Sequence, residues 1–336
     1  MNNLALQALS GKNRSGRPPL WLMRQAGRYM HEYQAIRKRH DLLTLFRTPE
    51  LITEVTKLPI DAFGFDAAIV FSDILLISEA LGFTLRFEEA VGPIIDPPLS
   101  PEADFTQLVG RDIVGSLQYV YEAIRQLKRT LTVPLIGFAG APFTLATYLI
   151  EGGSSRLMRK TKRWFFQEPE SFTRLLDILA MATIEHLNAQ IDAGVDAIQI
   201  FDSWANVLPA PQFQAFAANF MDKVMKGLKP CPIILFCRGS SLYAHELAAI
   251  KPQGISLDWQ ADLPKIRSSL GKDICLQGNL DPDILLTSPS VVRKEALRIM
   301  EQMRDDPAFI FNLGHGILPE TPRANVEALI ACVRDF

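Results

Sequence analysis

The sequence has few cysteines. Its four, Cys231, Cys237, Cys275 and Cys332, are scattered and form no C-x-x-C pair. Three of them, Cys231, Cys237 and Cys275, lie in or beside apolar runs, as buried free thiols do. This usage argues against a disulfide framework and suits a reducing, cytoplasmic setting. There is no excess charge of one sign: 35 Lys and Arg stand against 37 Asp and Glu, a net −2. Nothing overall favours nucleic acid or a membrane surface. Long apolar runs are missing too. The most apolar stretch, Ile136 to Ile150, is interrupted by glycine, proline and threonine and falls short of the ~20 apolar residues of a membrane span. Met1 to Gly16 is polar and mixed, unlike a signal peptide. The five histidines and four cysteines show no ligand spacing, so no metal site is expected.

Several catalytic and nucleotide-binding motifs are also absent. There is no G-x-x-x-x-G-K-[ST] and no G-x-S-x-G. Gly314-His315-Gly316 begins like G-x-G-x-x-G but ends in Pro319. His245-Glu246 begins like H-E-x-x-H, but Ala249 stands where the second histidine would be.

What the 336 residues do contain is a repeating unit: a short β-type run, a polar or glycine break, then a helical stretch. The runs are Leu20–Met23, Ala67–Phe71, Pro134–Phe138, Ala197–Phe201, Ile233–Phe236, Gly254–Leu257, Ile274–Gln277 and Phe309–Leu313. Helical periodicity falls over Pro49–Ile60, Asp112–Leu131, Pro169–Ala193, Pro211–Leu228, Ser290–Arg304 and Pro322–Val333, with shorter pieces at Ser240–Ile250 and Asp262–Leu270. Pro49, Pro289 and Pro322 each follow Ser or Thr at a helix start. Alternation of this kind implies parallel strands joined by crossovers. Eight units predict a single (β/α)8 TIM-type barrel over residues 17–336, preceded by an N-terminal segment 1–16 of open flexibility. A doubly wound open sheet is the competing architecture. Phe83–Phe87 and Pro93–Pro98 fit no unit and read as a hairpin inserted after strand two.

In such a barrel the chemistry sits at the carboxyl ends of the strands. The residues there are Arg24 and Arg28, Ser72-Asp73, Ala139-Gly140, Asp202-Ser203, Cys237-Arg238-Gly239, Asp258-Trp259, Gly278-Asn279 and Gly314-His315-Gly316. Arg24-Gln25-Ala26-Gly27-Arg28 reads as an anion clamp, because arginine grips carboxylates with a planar fork of donors. The small Ala26 and Gly27 would let a ligand approach the backbone. Two solvated arginines at a helix start are the alternative. Basic residues dominate from Lys12 to Arg47, where the only acids are Glu32 and Asp41. Asp73 ends a very apolar run, where a carboxylate is costly unless it is compensated; it is a candidate site residue or a helix cap. His315, between two glycines, is open to a ligand or is a structural histidine. Tyr148 could be a core residue, and Ser203 a cap.

At these residues the chain resembles the uroporphyrinogen decarboxylase family. Pro18-Pro19-Leu20-Trp21-Leu22-Met23-Arg24-Gln25-Ala26-Gly27-Arg28-Tyr29-Met30 is similar to its N-terminal signature. Phe71-Ser72-Asp73-Ile74-Leu75, Gly137–Tyr148 with Glu151-Gly152-Gly153-Ser154, Phe201-Asp202-Ser203-Trp204, Gln277–Pro282 and Phe311–Ile317 resemble further family segments, in the family's order. The resemblance implies a (β/α)8 barrel, usually a homodimer, that needs no metal or cofactor. It implies loss of four acetate carboxyl groups from the anionic porphyrinogen substrate, uroporphyrinogen III, giving coproporphyrinogen III in haem biosynthesis. Carried over residue by residue, it implies substrate binding by Arg24, Gln25, Ala26, Gly27, Arg28, Arg37, Asp73, Tyr148, Ser203 and His315, with Asp73 essential to the transition state; the clamp reading adds Arg24 and Arg28 as catalytic residues that hold the reacting carboxylates and help position the proton donor. The chain departs from the family after the signature. His31 and Gln34 stand where proline and arginine are usual. Two rivals are a corrinoid-dependent methyltransferase of the same superfamily and a non-catalytic tetrapyrrole binder. The first would carry a zinc-binding His-x-Cys, and Leu235-Phe236-Cys237 puts leucine in the histidine's place. The intact Arg24, Arg28, Asp73 and His315 argue against the second.

Overall fold

The computed structural model describes residues 3–88 and 91–336. The first two residues of the N-terminal segment and residues 89 and 90 of the hairpin lie outside them. Seven strands form one parallel sheet. They are β1 (Ala68–Ile69), β4 (Leu135–Gly140), β5 (Ala197–Asp202), β6 (Ile233–Cys237), β7 (Gly254–Ser256), β8 (Cys275–Leu280) and β9 (Phe309–Leu313), side by side in chain order. Strands buried on both faces can be apolar throughout, and β6, Ile-Ile-Leu-Phe-Cys, is buried at every position. Between β1 and β4, the strands β2 (Thr84–Glu88) and β3 (Gly92–Asp96) pair antiparallel in a separate ribbon.

The first expected strand, Leu20–Met23, is not one. It is an extended segment that lies in the eighth place between β9 and β1. Leu20 makes a single parallel bridge to Phe311. The Phe311 N–H donates to the Pro19 carbonyl at 2.9 Å, and the Asp66 N–H donates to the Leu20 carbonyl at 2.8 Å. The Trp21 N–H adds a long bond to the Phe311 carbonyl at 3.4 Å, and at the other positions side chains replace the ladder. The N–H groups of Leu20, Leu22 and Met23 go to Asp66 Oδ2 (2.8 Å), Gln25 Oε1 (3.3 Å) and Asn312 Oδ1 (3.0 Å). Buried backbone donors must be satisfied by some partner, and here the partners are side chains, so the segment closes the barrel without regular strand geometry. β1 is short for the same reason: the Phe71 N–H donates to Thr56 Oγ1 at 2.9 Å and leaves the ladder.

Asp66 carries much of this closure. Arg17 grips it with two nitrogens, at 2.7 and 3.0 Å, while it also accepts from Leu20. Its side chain is 5% exposed. Asp66→Ala is therefore expected to destabilise the fold by about 3 kcal/mol, because it leaves a half-buried guanidinium and a buried N–H without their acceptor. Urea denaturation measures this; a midpoint unchanged from the parent would show that the closure does not depend on this residue.

Helices follow the strands as expected, but the expected Asp112–Leu131 is broken at Leu117 into Ile113–Ser116 and Gln118–Thr130, and the expected Pro211–Leu228 passes through a π-helical stretch, Phe213–Ala218. Pro49–Phe63 runs three residues past the expected Ile60 and stops at Gly64, whose φ of 66° suits a left-handed terminus. Of the proline-led starts, Ser288 caps its helix, accepting from the Val291 N–H at 3.5 Å. Thr48 does not cap; its hydroxyl donates back to the Thr44 carbonyl at 2.8 Å. In the N-terminal segment Leu4–Leu9 is helical, with Ala5, Ala8 and Leu9 buried. All four cysteines are free thiols. Among the described residues no helix is long and apolar enough to cross a membrane.

The barrel interior carries a polar layer. Trp21 Nε1 donates to Gln277 Oε1 (3.0 Å), and Gln277 Nε2 donates to Gln199 Oε1 (3.1 Å) and Ser256 Oγ (3.0 Å). These groups satisfy one another, as buried polar groups must. Gln199 Nε2 in turn donates to Met23 Sδ at 3.6 Å, which ties the layer to the residue before Arg24.

Candidate active site

At the carboxyl end of the strands opens a cavity of about 360 Å3. It is lined by Arg24, Gln25, Ala26, Gly27, Arg28, Asp73, Ser203 and His315. The fold thus assembles eight of the ten candidates, from four separate stretches of chain. Arg37 lines an adjoining hollow instead. Tyr148 does not line the cavity; its ring lies 6.2 Å from Trp204, edge to face, and its hydroxyl is within reach of the charges of Asp73 and Arg24.

The Arg24–Arg28 stretch is a tight turn. Arg24 has a φ of 61°, which is uncommon for a residue with a side chain. Gln25 N–H donates to Leu22 O and Met30 N–H to Gly27 O, at 3.1 and 3.0 Å. The Gln25 side chain is buried at 1% exposure and bridges the Leu22 N–H to the Ala67 carbonyl, to which Nε2 donates at 3.2 Å. Its amide is spent inside the protein, tying the turn to β1. Both arginines remain exposed toward the cavity. Gln34, one of the departures from the family pattern, donates to the Arg28 carbonyl at 2.6 Å. It braces that arginine from the helix His31–Arg37.

The glycines around His315 serve a purpose different from the expected one. A Cβ on Gly314 would stand 2.4 Å from the Trp259 nitrogen, and one on Gly316 would stand 2.5 Å from Arg24 Cδ. Neither gap admits a ligand. The first is filled by the backbone after β7 and the second by the stem of Arg24. His315 Nδ1 accepts the Gly316 N–H at 2.8 Å, so in the neutral ring the proton sits on Nε2. Burial, with Arg24 and Arg238 nearby, pulls its pKa down to about 4. It is a neutral donor at physiological pH.

Asp73 is partly buried at the mouth. One oxygen accepts the Leu75 N–H at 2.8 Å. The cap reading thus holds in part, as a local turn; the helix Leu76–Ala80 begins beyond it. Burial pushes the carboxyl up to about 6, against the opposing effects of the Leu75 N–H and Arg24. Four phenylalanines supply much of the apolar surroundings. Phe71, Phe138, Phe201 and Phe236 all line the cavity. The rings of Phe138 and Phe201 lie 5.6 Å apart, Phe201 and Phe236 5.4 Å, and Phe236 and His315 5.7 Å. Sequence reasoning by polar residues passed over them. The signal was present: four expected strands each end in phenylalanine.

Other strand-end candidates are structural. Asp202 accepts from Thr144 Oγ1 at 2.6 Å, and that hydroxyl accepts the Trp204 N–H at 3.1 Å. Burial raises the Asp202 carboxyl to about 7. It fixes the loop that presents Ser203. Asp258 accepts the Ser241 N–H at 3.1 Å, and Asn279 donates to the Asp258 and Ala261 carbonyls. Cys237 is buried and its pKa is raised well above that of an ordinary thiol. Among the described residues no group of three or more His, Cys, Asp or Glu could hold a metal ion.

An apolar floor, one carboxylate and two accessible guanidiniums make a site for a flat, acidic molecule bearing N–H donors. A family model described as Uroporphyrinogen decarboxylase (URO-D) matches residues 1–336. The chain belongs to the uroporphyrinogen decarboxylase family. The protein of that name from Protochlamydia amoebophila is 49% identical over 335 residues, covering 99% of this chain and 92% of that one. The one from Alkalilimnicola ehrlichii is 43% identical over 344 residues, covering 100% and 94%. Among solved structures, a methyltransferase from Methanosarcina mazei superposes with a TM-score of 0.85 at 22% identity, over 99% of this chain and 98% of that one. That likeness shows the shared barrel-type fold alone.

Proposed function

We propose that this enzyme is a carboxy-lyase that removes the four acetate carboxyl groups of uroporphyrinogen III in turn, releasing CO2 and giving coproporphyrinogen III. The observation that carries the reading is Asp73, set among phenylalanine rings and beside Arg24. The four pyrrole N–H donors of the macrocycle can converge on one carboxylate. Its apolar faces would lie against Phe138, Phe201 and Phe236. Its acidic side chains would meet Arg24 and Arg28, whose forks match carboxylates.

Decarboxylation leaves an electron pair that needs a sink. A pyrrole ring protonated on carbon provides one. That ring is a cation, and the fixed negative charge of Asp73 stabilises it as it forms. The C–C bond to the carboxylate then breaks, releasing CO2 as its electrons pass into the ring; a proton added to the methylene carbon completes the methyl group, and loss of the first proton from the ring carbon restores the neutral pyrrole. Arg24 and Arg28 hold the reacting arm in place, and His315, neutral with its proton on Nε2, is a donor within the same cavity.

Leucine at position 235, where a methyltransferase of this superfamily would have its zinc-binding histidine, weighs against that activity. The test is anaerobic incubation of the protein with uroporphyrinogen III, followed by oxidation and separation of products by carboxylate number. Passage through seven-, six- and five-carboxyl species to the four-carboxyl product is expected. Substrate that is bound but unchanged would favour a non-catalytic binder.

A further inference from the structure

Beside the cavity lies a second hollow of about 830 Å3. Its lining includes Arg28, Tyr33, Arg37, Asp41, Arg86 and Glu88. Arg28 and Tyr33 belong to both, so the two spaces adjoin. We propose that Arg86, on β2 of the hairpin, is a further substrate-binding residue, taking side-chain carboxylates of the porphyrinogen that extend beyond the first cavity. This rests on the functional reading above.

Size is the first argument. The cavity of about 360 Å3 is near the lower end of the roughly 300–1,000 Å3 typical of ligand pockets. A macrocycle of four pyrroles with eight acidic arms needs space at the upper end, so part of it must lie outside. The adjoining hollow is the continuation that shares an arginine with the site.

Charge is the second. Three guanidiniums face the hollow, and none of them forms an ion pair among the described residues. Arg37 donates to the His40 carbonyl at 2.6 Å and also faces the Tyr33 hydroxyl and the Asp41 carboxylate, so it is the most engaged of the three. Of the acids, Asp41 is committed to its helix cap, accepting the Thr44 N–H at 2.7 Å. Glu88 opposes an anionic ligand, two residues along β2 on the same face as Arg86.

Support is the third. Arg86 is exposed, opposite Ile94 in the hairpin register. Its neighbours hold the strand down: Leu85 is 2% exposed, and the Phe87 ring lies 5.8 Å from that of Phe46. β3 is tied in turn, the Ile95 N–H donating to the Gly152 carbonyl at 3.0 Å. An arginine presented by an anchored ribbon loses less freedom on binding than one on a loose loop.

The test is steady-state kinetics with uroporphyrinogen III on the full chain and its variants. Arg86→Ala is expected to raise KM about fivefold, the scale of one water-accessible charged contact, with kcat within about twofold of the parent. The fall of kcat/KM with added salt should become shallower, since one screened attraction is gone. Arg86→Lys should recover part of the loss, and Glu88→Gln should lower KM, a response that a merely structural role for the hairpin would not give. Unchanged KM and salt dependence in Arg86→Ala, with an active parent, would overturn the proposal and leave the functional reading standing. An inactive parent would overturn that reading, and this inference with it.

Discussion

Asp73→Asn is expected to lower kcat/KM by about 10²–10³-fold and, at the same time, to stabilise the folded chain at pH 8. The loss follows from the charge. Asparagine keeps the shape and can still accept a hydrogen bond, but it brings no negative charge to a ring that becomes cationic, and fixed electrostatic complements of this kind are worth about that much. The gain follows from burial. The carboxyl is pushed up to about 6 from its ordinary 3.8, so the folded state holds a proton that the unfolded state releases between those values. Its favourable contribution is complete below pH 3.8 and is lost as pH rises through about 6. At pH 8 the carboxylate is therefore a cost. In a dry site the cost would be about 3 kcal/mol; water reaching the mouth reduces it to about 1–2 kcal/mol. Thermal melts should show the Asn variant ahead of the parent at pH 8, with the gap closing toward pH 5. The same ionisation should set the acid limb of kcat/KM in the parent, with activity falling below about pH 6. Near-normal turnover in Asp73→Asn would remove the charge from the mechanism.

Gly316→Ala is expected to lower kcat/KM by about 10–100-fold with little loss of stability. The added methyl would sit 2.5 Å from Arg24 Cδ and 2.8 Å from its Cγ, mid-stem rather than at the flexible end. Arg24 must move, and a displaced carboxylate clamp loses the geometry on which its contribution depends. The neighbouring glycine provides the contrast. At Gly314 the methyl would meet main chain, 2.4 Å from the Trp259 nitrogen and 2.9 Å from the Asp258 carbonyl carbon. Backbone at the end of β7 cannot swing aside, so Gly314→Ala should cost about 2–3 kcal/mol of stability. Melting curves and kinetics on the pair separate the two roles. Full activity in Gly316→Ala would mean that the path of the Arg24 stem over this glycine does not govern catalysis.

The repeating strand–helix pattern, the apolar strands and the proline-led helix starts were legible as local chemistry. So were the arginines, Asp73 and His315, because charged or titratable groups after buried runs stand out against their surroundings. The closing segment was misread as a strand. Leu20–Met23 has a strand's composition, but the N–H groups of Leu20, Leu22 and Met23 are taken by Asp66, Gln25 and Asn312, and only the folded chain brings those side chains within reach. The glycines flanking His315 were recognisable as a requirement for space, yet what fills that space comes from Arg24 and from the end of β7, far away in the chain.

The sequence by itself determined the alternation that makes a barrel, the family, and the residue types its site uses, since all of these rest on spacing and side-chain chemistry within short windows. Tertiary structure decided which side chains share a cavity. It placed Gln25 inside the protein and Arg37 in the adjoining hollow. It gathered four strand-end phenylalanines into the cavity that Asp73 lines, and burial there, built by side chains from separate strands, raises the pKa of that carboxylate.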